Sequence, residues 1–203
     1  MHQPRNIIFD LGNVLITFNP LDFLTHLLND AEKARWCQAL IIQSPEWREL
    51  DRGQISVEQA KSNFIERQPA LRGAVELFFQ HWLSMFQPIP ETVALVDELR
   101  AAGYRLYVLS NIIRESYEDL RGRLTFWDRF EGIVVSYALK TAKPEPAIYR
   151  YLLDHYRLQP EECLFIDDME ANVAGARAVG IPAARFESAG DLHRIFQERG
   201  ILE

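Results

Sequence analysis

Residues 6–14 read NIIFDLGNV. Asn6-Ile7-Ile8-Phe9 is the kind of short apolar run that fills a strand buried on both faces, and it stops on a carboxylate, Asp10. Comparable runs recur at Leu106–Leu109, Ile133–Val135, Leu164–Ile166 and Ala183–Phe186. Helical periodicities lie between the later ones. Pro90-Glu91 opens a segment carrying Val93, Val96 and Leu99 and closed by Gly103; Ile148, Leu152 and Tyr156 mark a second; Val173 to Val179, closed by Gly180, marks a third. This alternation predicts an α/β protein with a Rossmann-like, doubly wound parallel sheet and right-handed crossovers.

The stretch between the first two runs breaks the rhythm. From about residue 21 to 87 there is no strand pattern, many helix formers and a high aromatic load: Trp36, Trp47, Phe64, Phe78, Phe79, Trp82 and Phe86. It is too long for a crossover and reads as an inserted helical domain, residues 19–88, whose core most of those aromatics form. Residues 1–18 plus 89–203 then make the main domain, with hinges at Phe18-Asn19-Pro20 and Gln87-Pro88-Ile89-Pro90.

A net charge of -7 and the lack of any Lys/Arg run argue against a nucleic-acid partner. No apolar stretch is long enough to span a membrane, and Met1 to Arg5 leads into a strand rather than a signal-type segment, so a cytoplasmic monomer or homodimer is expected. Cys37 and Cys163 form no C-x-x-C pair and are not expected to be bridged, and the five histidines are scattered without metal-type spacing, which disfavours zinc.

In an open parallel sheet, ligands bind beyond the carboxyl ends of the strands. After the first run comes Asp10; after the second, Ser110-Asn111; shortly after the third, Lys143-Pro144; after the fourth, Asp167-Asp168. Asp10, Asp167 and Asp168 would repel one another unless a cation sat among them, and Mg²⁺ accepts all-oxygen ligation. Lys143 adds a fixed positive charge and Ser110 a donor, so a dianionic phosphoryl group would sit between metal and lysine. In-line attack by a carboxylate would then give an aspartyl-phosphate that water hydrolyses.

The ordered set FDLGNVL, VLSN, KPEPAIY and FIDDMEANVAGARAVGI resembles the four motifs of the haloacid dehalogenase superfamily, in the subfamily with a helical cap inserted after the first motif. The resemblance implies that Asp10 is nucleophile and metal ligand, Lys143 the charge-stabilising catalytic lysine and Ser110, with Asn111, phosphate-binding. Asp168 and Asp167 would hold Mg²⁺, Gly12 would offer it a backbone carbonyl, and Asn172 would support the acidic loop. The implied substrate is a small phosphorylated metabolite. The FDLGNV spelling and the cap stretch Glu49–Ser56 are similar to bacterial members acting on sugar phosphates such as glucose 1-phosphate.

Gly12 departs from the pattern. Most phosphatases of this superfamily carry there an aspartate that protonates the leaving oxygen and then activates water, a contribution of about 10²- to 10⁴-fold. Leaving groups that depart readily as anions need that proton least, which makes their phosphates the expected substrates. Lys140 also stands where a glycine is frequent. Two other readings follow: a metal-independent 2-haloacid dehalogenase, for which Asp167-Asp168 would be an unneeded repulsion, and a binding or regulatory protein that turns over little. In the cap, Glu46, Trp47, Asp51 and Arg52 fall in a loop-like break between Pro45 and Gly53. Trp47 and Arg52 are expected to face the substrate, and Glu46 or Asp51 to stand in for the missing acid.

Overall fold

The computed structural model describes residues 3–203. Strands β1 (Asn6–Phe9), β2 (Arg105–Ser110), β3 (Gly132–Val135), β4 (Cys163–Asp167) and β5 (Ala183–Arg185) form one parallel sheet in the order β3-β2-β1-β4-β5. The chain starts in the middle, moves outward through β2 and β3, then returns to the other side of β1 for β4 and β5. The reversal falls between β1 and its neighbour β4, so the crevice of this sheet opens beyond Phe9 and Asp167.

Both faces of the sheet are covered, as the unbroken apolar runs require. Successive strand residues alternate between two cores. Ile7, Phe9, Leu106, Val108, Leu164 and Ile166 join one; Ile8, Tyr107, Leu109, Cys163 and Phe165 join the other. The second core is closed by α9 (Pro146–Tyr156) and α10 (Glu170–Ala178) through Ile148, Tyr149, Leu152, Val173 and Ala176. Both cysteines are buried and unbridged.

Five helices fill the interval between β1 and α6 (Pro90–Ala101): α1 (Pro20–Leu28), α2 (Ala31–Ile41), α3 (Pro45–Asp51), α4 (Val57–Arg67) and α5 (Arg72–His81). Short polar side chains start them by accepting orphan backbone N–H groups: Asn19 from Asp22, Asp30 from Glu32 and Lys33, and Ser44 from Trp47. Ser56 and Gln59 form a reciprocal capping box. The helices pack on aromatics, with ring centroids 5.1 Å apart for Phe78 and Phe79 and 5.5 Å for Phe79 and Trp82. Trp36 does not belong to that core. It is 63% exposed because α2 buries Ala34, Cys37, Leu40 and Ile41 and turns Trp36 to the opposite side.

Two paired segments join the helices to the sheet. Thr17 N donates to the Gln87 carbonyl at 2.8 Å, Ile89 N to the Leu15 carbonyl at 2.9 Å, and Thr17 Oγ1 to the Met85 carbonyl at 2.8 Å. Beyond them come α7 (Arg114–Arg123), the single turn α8 (Ser136–Leu139) and α11 (Ala189–Glu198). Among the described residues no helix is long and apolar enough to cross a membrane.

Candidate active site

Asp10 follows β1, Ser110 ends β2, and Asp167 ends β4, on three adjacent strands. Parallel pairing brings all three to one edge. Lys143 arrives from beyond α8, and Asn111 secures it: Asn111 Nδ2 donates to the Lys143 carbonyl at 2.9 Å, while Lys143 N donates to Asn111 Oδ1 at 2.8 Å. Both ends of the Asn111 amide are thus spent on the lysine's backbone, although Asn111 also borders the cavity described below.

Lys143 lies between two carboxylates. Its Nζ is 2.7 Å from Asp10 Oδ1 and 2.6 Å from Asp167 Oδ2, and donates to the Leu109 carbonyl at 2.9 Å. Burial works against its charge, but Asp10 and Asp167 outweigh burial and raise its pKa. Asp167 is fully enclosed and takes bonds from Asn172 Nδ2 at 3.0 and 3.1 Å and from Met169 N at 2.8 Å. Asn172 does support the acidic loop, and the Tyr149 hydroxyl in turn donates to the Asn172 carbonyl at 2.8 Å.

The neighbouring Asp168 is partly exposed and accepts from Asn13 Nδ2 at 3.2 Å. Asn13 is a site residue that sequence reasoning overlooked. It sits at φ 53°, a conformation that asparagine tolerates, and its Oδ1 accepts from Phe18 N at 2.9 Å. The signal was in the Gly12-Asn13 pair, but its target lies 155 residues away. Gly175 is another position set by close approach: a Cβ there would come within 2.8 Å of the Pro144 carbonyl, so α10 packs directly on the Lys143-Pro144 loop. Lys140, at φ 56°, occupies the left-handed conformation that a glycine would take without strain.

Carboxylate oxygens of Asp10, Asp167 and Asp168 lie within 4.8 Å of one another. Burial pushes the Asp10 carboxyl up to about 7; Lys143 pulls it back, and Asp167 and Asp168 add to the rise. Asp168 is likewise raised, chiefly by burial. One ammonium among three carboxylates leaves negative charge in excess, so the donor set fits a hard divalent cation such as Mg²⁺.

Above this cluster is a cavity of about 400 Å³. Asp10, Gly12, Ser110, Lys143 and Asp168 line its floor; Trp47, Asp51 and Arg52 line its helical side with Phe18 and Phe86. The Phe18 ring is stacked on Phe86 at 5.9 Å and on Trp47 at 6.3 Å. Residues 46–52 do not form the expected loop-like break. Ser44 caps and Pro45 opens helix α3, which runs to Asp51. That helix sorts its side chains. Glu46 turns away from the cavity to an ion pair with Arg67, and against the effect of burial its pKa is lowered by its own backbone hydrogen bond and by Arg67. Trp47 and Asp51, four apart, face the cavity.

Arg52 also borders the cavity, but its guanidinium pairs with Glu145 just after the Lys143-Pro144 loop, Nε to Oε1 at 3.1 Å. Thr141 Oγ1 donates to the other Glu145 oxygen at 2.8 Å. Beside it, Ser136 Oγ donates to the Asp51 carbonyl, and Gly53, at φ +60°, lies against the Tyr137 carbonyl where a Cβ would come within 2.6 Å. The end of α3 is therefore clamped to the α8 side of the sheet by contacts that no local pattern announces.

Residues 4–180 match a family model described as haloacid dehalogenase-like hydrolase. A sesquiterpene phosphatase of Aspergillus oryzae, astK, is 30% identical over 86% of this chain and 85% of its own length. The drimenol cyclase drtB of Aspergillus calidoustus is 24% identical over 94% of this chain, which spans only 35% of that protein. Among solved structures, a HAD family enzyme of Bacteroides thetaiotaomicron in complex with magnesium and inorganic phosphate superposes with a TM-score of 0.73, at 24% identity, over 95% of this chain and 99% of that one.

Proposed function

The chain belongs to the haloacid dehalogenase-like hydrolases, and from that premise we propose that it is a magnesium-dependent phosphatase of a small phosphorylated metabolite, working through an aspartyl-phosphate. The observation that carries the reading is the meeting of Asp10, Lys143 and Asp168 at the floor of one cavity, with Asp167 buried beneath them against Lys143. In this reading an Asp10 oxygen attacks phosphorus in line and the leaving oxygen departs toward the helical side. Lys143 holds Asp10 in place and opposes charge on the phosphoryl oxygens; Ser110 supplies a hydroxyl donor. Asp10, Asp168 and the Gly12 carbonyl, with Asp167 directly or through water, would hold Mg²⁺, which when bound supplies positive charge against the phosphoryl dianion.

The cavity bears on the leaving portion of the substrate. A hexose presents a hydroxyl on nearly every carbon, and each one buried needs a partner. The cavity walls around Ile16, Phe18, Trp47, Phe86, Ile113 and Met169 are apolar, and Arg52 is engaged by Glu145. This supports a phosphate ester with an apolar body over the glucose 1-phosphate expected from the motif spelling. The similarity to a sesquiterpene phosphatase points the same way.

Phosphate release from glucose 1-phosphate, geranyl and farnesyl monophosphates and p-nitrophenyl phosphate, with and without Mg²⁺, tests both parts. Release that needs Mg²⁺ and disappears in Asp10→Asn is expected, with the isoprenyl esters preferred. Metal-independent turnover of a 2-haloacid in place of phosphate release would replace the reading, and a clear preference for glucose 1-phosphate would overturn the substrate class alone.

A further inference from the structure

We infer that Asp51, carried on the helical cap, is the proton donor and acceptor of this site, taking the role for which the main domain offers only Gly12. The inference rests on the phosphatase reading. A Cβ placed on Gly12 would meet nothing nearer than Phe18 Cβ at 4.0 Å, so the position beside the nucleophile offers space but no group that can exchange a proton. The other ionisable side chains lining the cavity are accounted for. Asp10 is the attacking group, Lys143 is locked between two carboxylates, Asp168 is held by Asn13, and Arg48 and Arg52 carry guanidinium groups, which offer hydrogen-bond donors and no acceptor. Asp51 alone is left.

Its placement suits the task. Asp51 lines the helical side of the cavity, the side toward which the proposed in-line attack by Asp10 sends the leaving oxygen. Among the described residues its carboxyl has no hydrogen-bond partner, while its backbone carbonyl accepts from Ser136, the next residue Arg52 pairs with Glu145, and Gly53 lies close against the Tyr137 carbonyl. A carboxyl so mounted is rigid and available. Glu46, the other acidic residue of α3 considered for the role, is engaged by Arg67 and does not border the cavity. Burial pushes the Asp51 carboxyl up to about 7; Arg52 opposes the rise, Asp10 adds to it and Lys143 opposes it.

The chemistry balances. As the Asp10 oxygen bonds to phosphorus, the bond to the leaving oxygen breaks, its electron pair stays on that oxygen, and the Asp51 proton completes the alcohol. The resulting Asp51 carboxylate then takes a proton from water as the water oxygen attacks the phosphoryl group. Asp10 and inorganic phosphate are released, and Asp51 ends protonated as it began.

The test compares wild type, Asp51→Asn and Asp51→Glu on a primary alkyl phosphate, whose leaving group needs a proton, and on p-nitrophenyl phosphate, whose leaving group does not. Expected is a loss of about 10²-fold or more in kcat/KM for Asp51→Asn on the alkyl ester, several times smaller on the aryl ester. The Glu variant should recover part of the alkyl activity, and rapid quench of Asp51→Asn with the aryl ester should trap phosphoenzyme. Equal losses on both esters, no loss on either, or activity restored by raising Mg²⁺ would overturn the inference, the last by making Asp51 a metal ligand. Unchanged thermal midpoints separate these results from misfolding, and an unfolded Asn variant passes the test to the Glu variant's ester ratio. If the wild type releases phosphate from neither ester nor from the isoprenyl monophosphates, the phosphatase reading fails and takes this inference with it; if it releases phosphate and the ester ratio does not move, this inference fails alone.

Discussion

The ammonium of Lys143 and the carboxylate of Asp10 lie 2.7 Å apart with the lysine side chain wholly out of water. The same ammonium bonds Asp167 at 2.6 Å, so one lysine fixes both the group proposed to attack and one of the proposed ligands. Removing its charge would leave two buried carboxylates facing each other. Lys143→Met is expected to abolish phosphate release and to cost about 3–5 kcal/mol in urea unfolding without metal. Added Mg²⁺ should recover stability but not activity. A variant as stable as wild type in metal-free buffer would mean that the pair is not charged there.

Asn111 tests the difference between touching substrate and placing the group that does. Asn111→Ala strips partners from the Lys143 N–H and carbonyl, an expected cost of about 1–3 kcal/mol. With the lysine loosened, kcat should fall while KM changes little. A raised KM at unchanged kcat would instead mean direct contact with substrate, as the motif alone suggests.

Gly53 and Gly103 both have positive φ, but only Gly53 lies against another segment. Gly103→Ala should cost only left-handed strain, about 1 kcal/mol. Gly53→Ala adds a collision with the Tyr137 carbonyl and should lower the thermal midpoint further. It should also expose the α3 end to proteolysis. Equal effects at the two positions would show that the cap is not seated on α8 in solution.

The Arg52–Glu145 pair sets an acid limit on that seating. Arg52 and Thr141 hold Glu145 below its ordinary value of 4.5. A depressed carboxyl contributes fully above its unfolded pKa and loses that contribution as pH falls through the lower, folded one. Stability lost on acidification below about pH 4.5 should therefore be smaller in Glu145→Gln than in wild type. Thermal midpoints from pH 6 down to 3, by about half units, measure it; parallel curves for the two proteins would rule the pair out as a stabilising contact.

The sheet was legible because each strand is a local event: an apolar run long enough to cross the core and buried on both faces, ending on a polar residue. Parallel pairing then put Asp10, Ser110 and Asp167 on one edge by geometry alone, which is why strand-end residues could be gathered before any contact was seen. The cap was legible as helical but not in detail. Trp36 counted as core by composition yet lies on the outer face of α2, because burial depends on which side of a helix meets its neighbours. The run from Glu46 to Arg52 looked broken because proline and glycine bracket it, although Ser44 and Pro45 are a helix start.

From the order of its residues alone, this chain declared a parallel sheet, a helical insertion and a strand-end set of carboxylates, lysine and serine, since all of these follow from local hydrophobic period and strand polarity. Only the tertiary structure separated Glu46 from Asp51, turning one to Arg67 and the other to the cavity, and only it set Arg52 on Glu145, 93 residues distant. Those choices depend on how the insertion docks against α8, and docking is decided by long-range packing that no local stretch encodes.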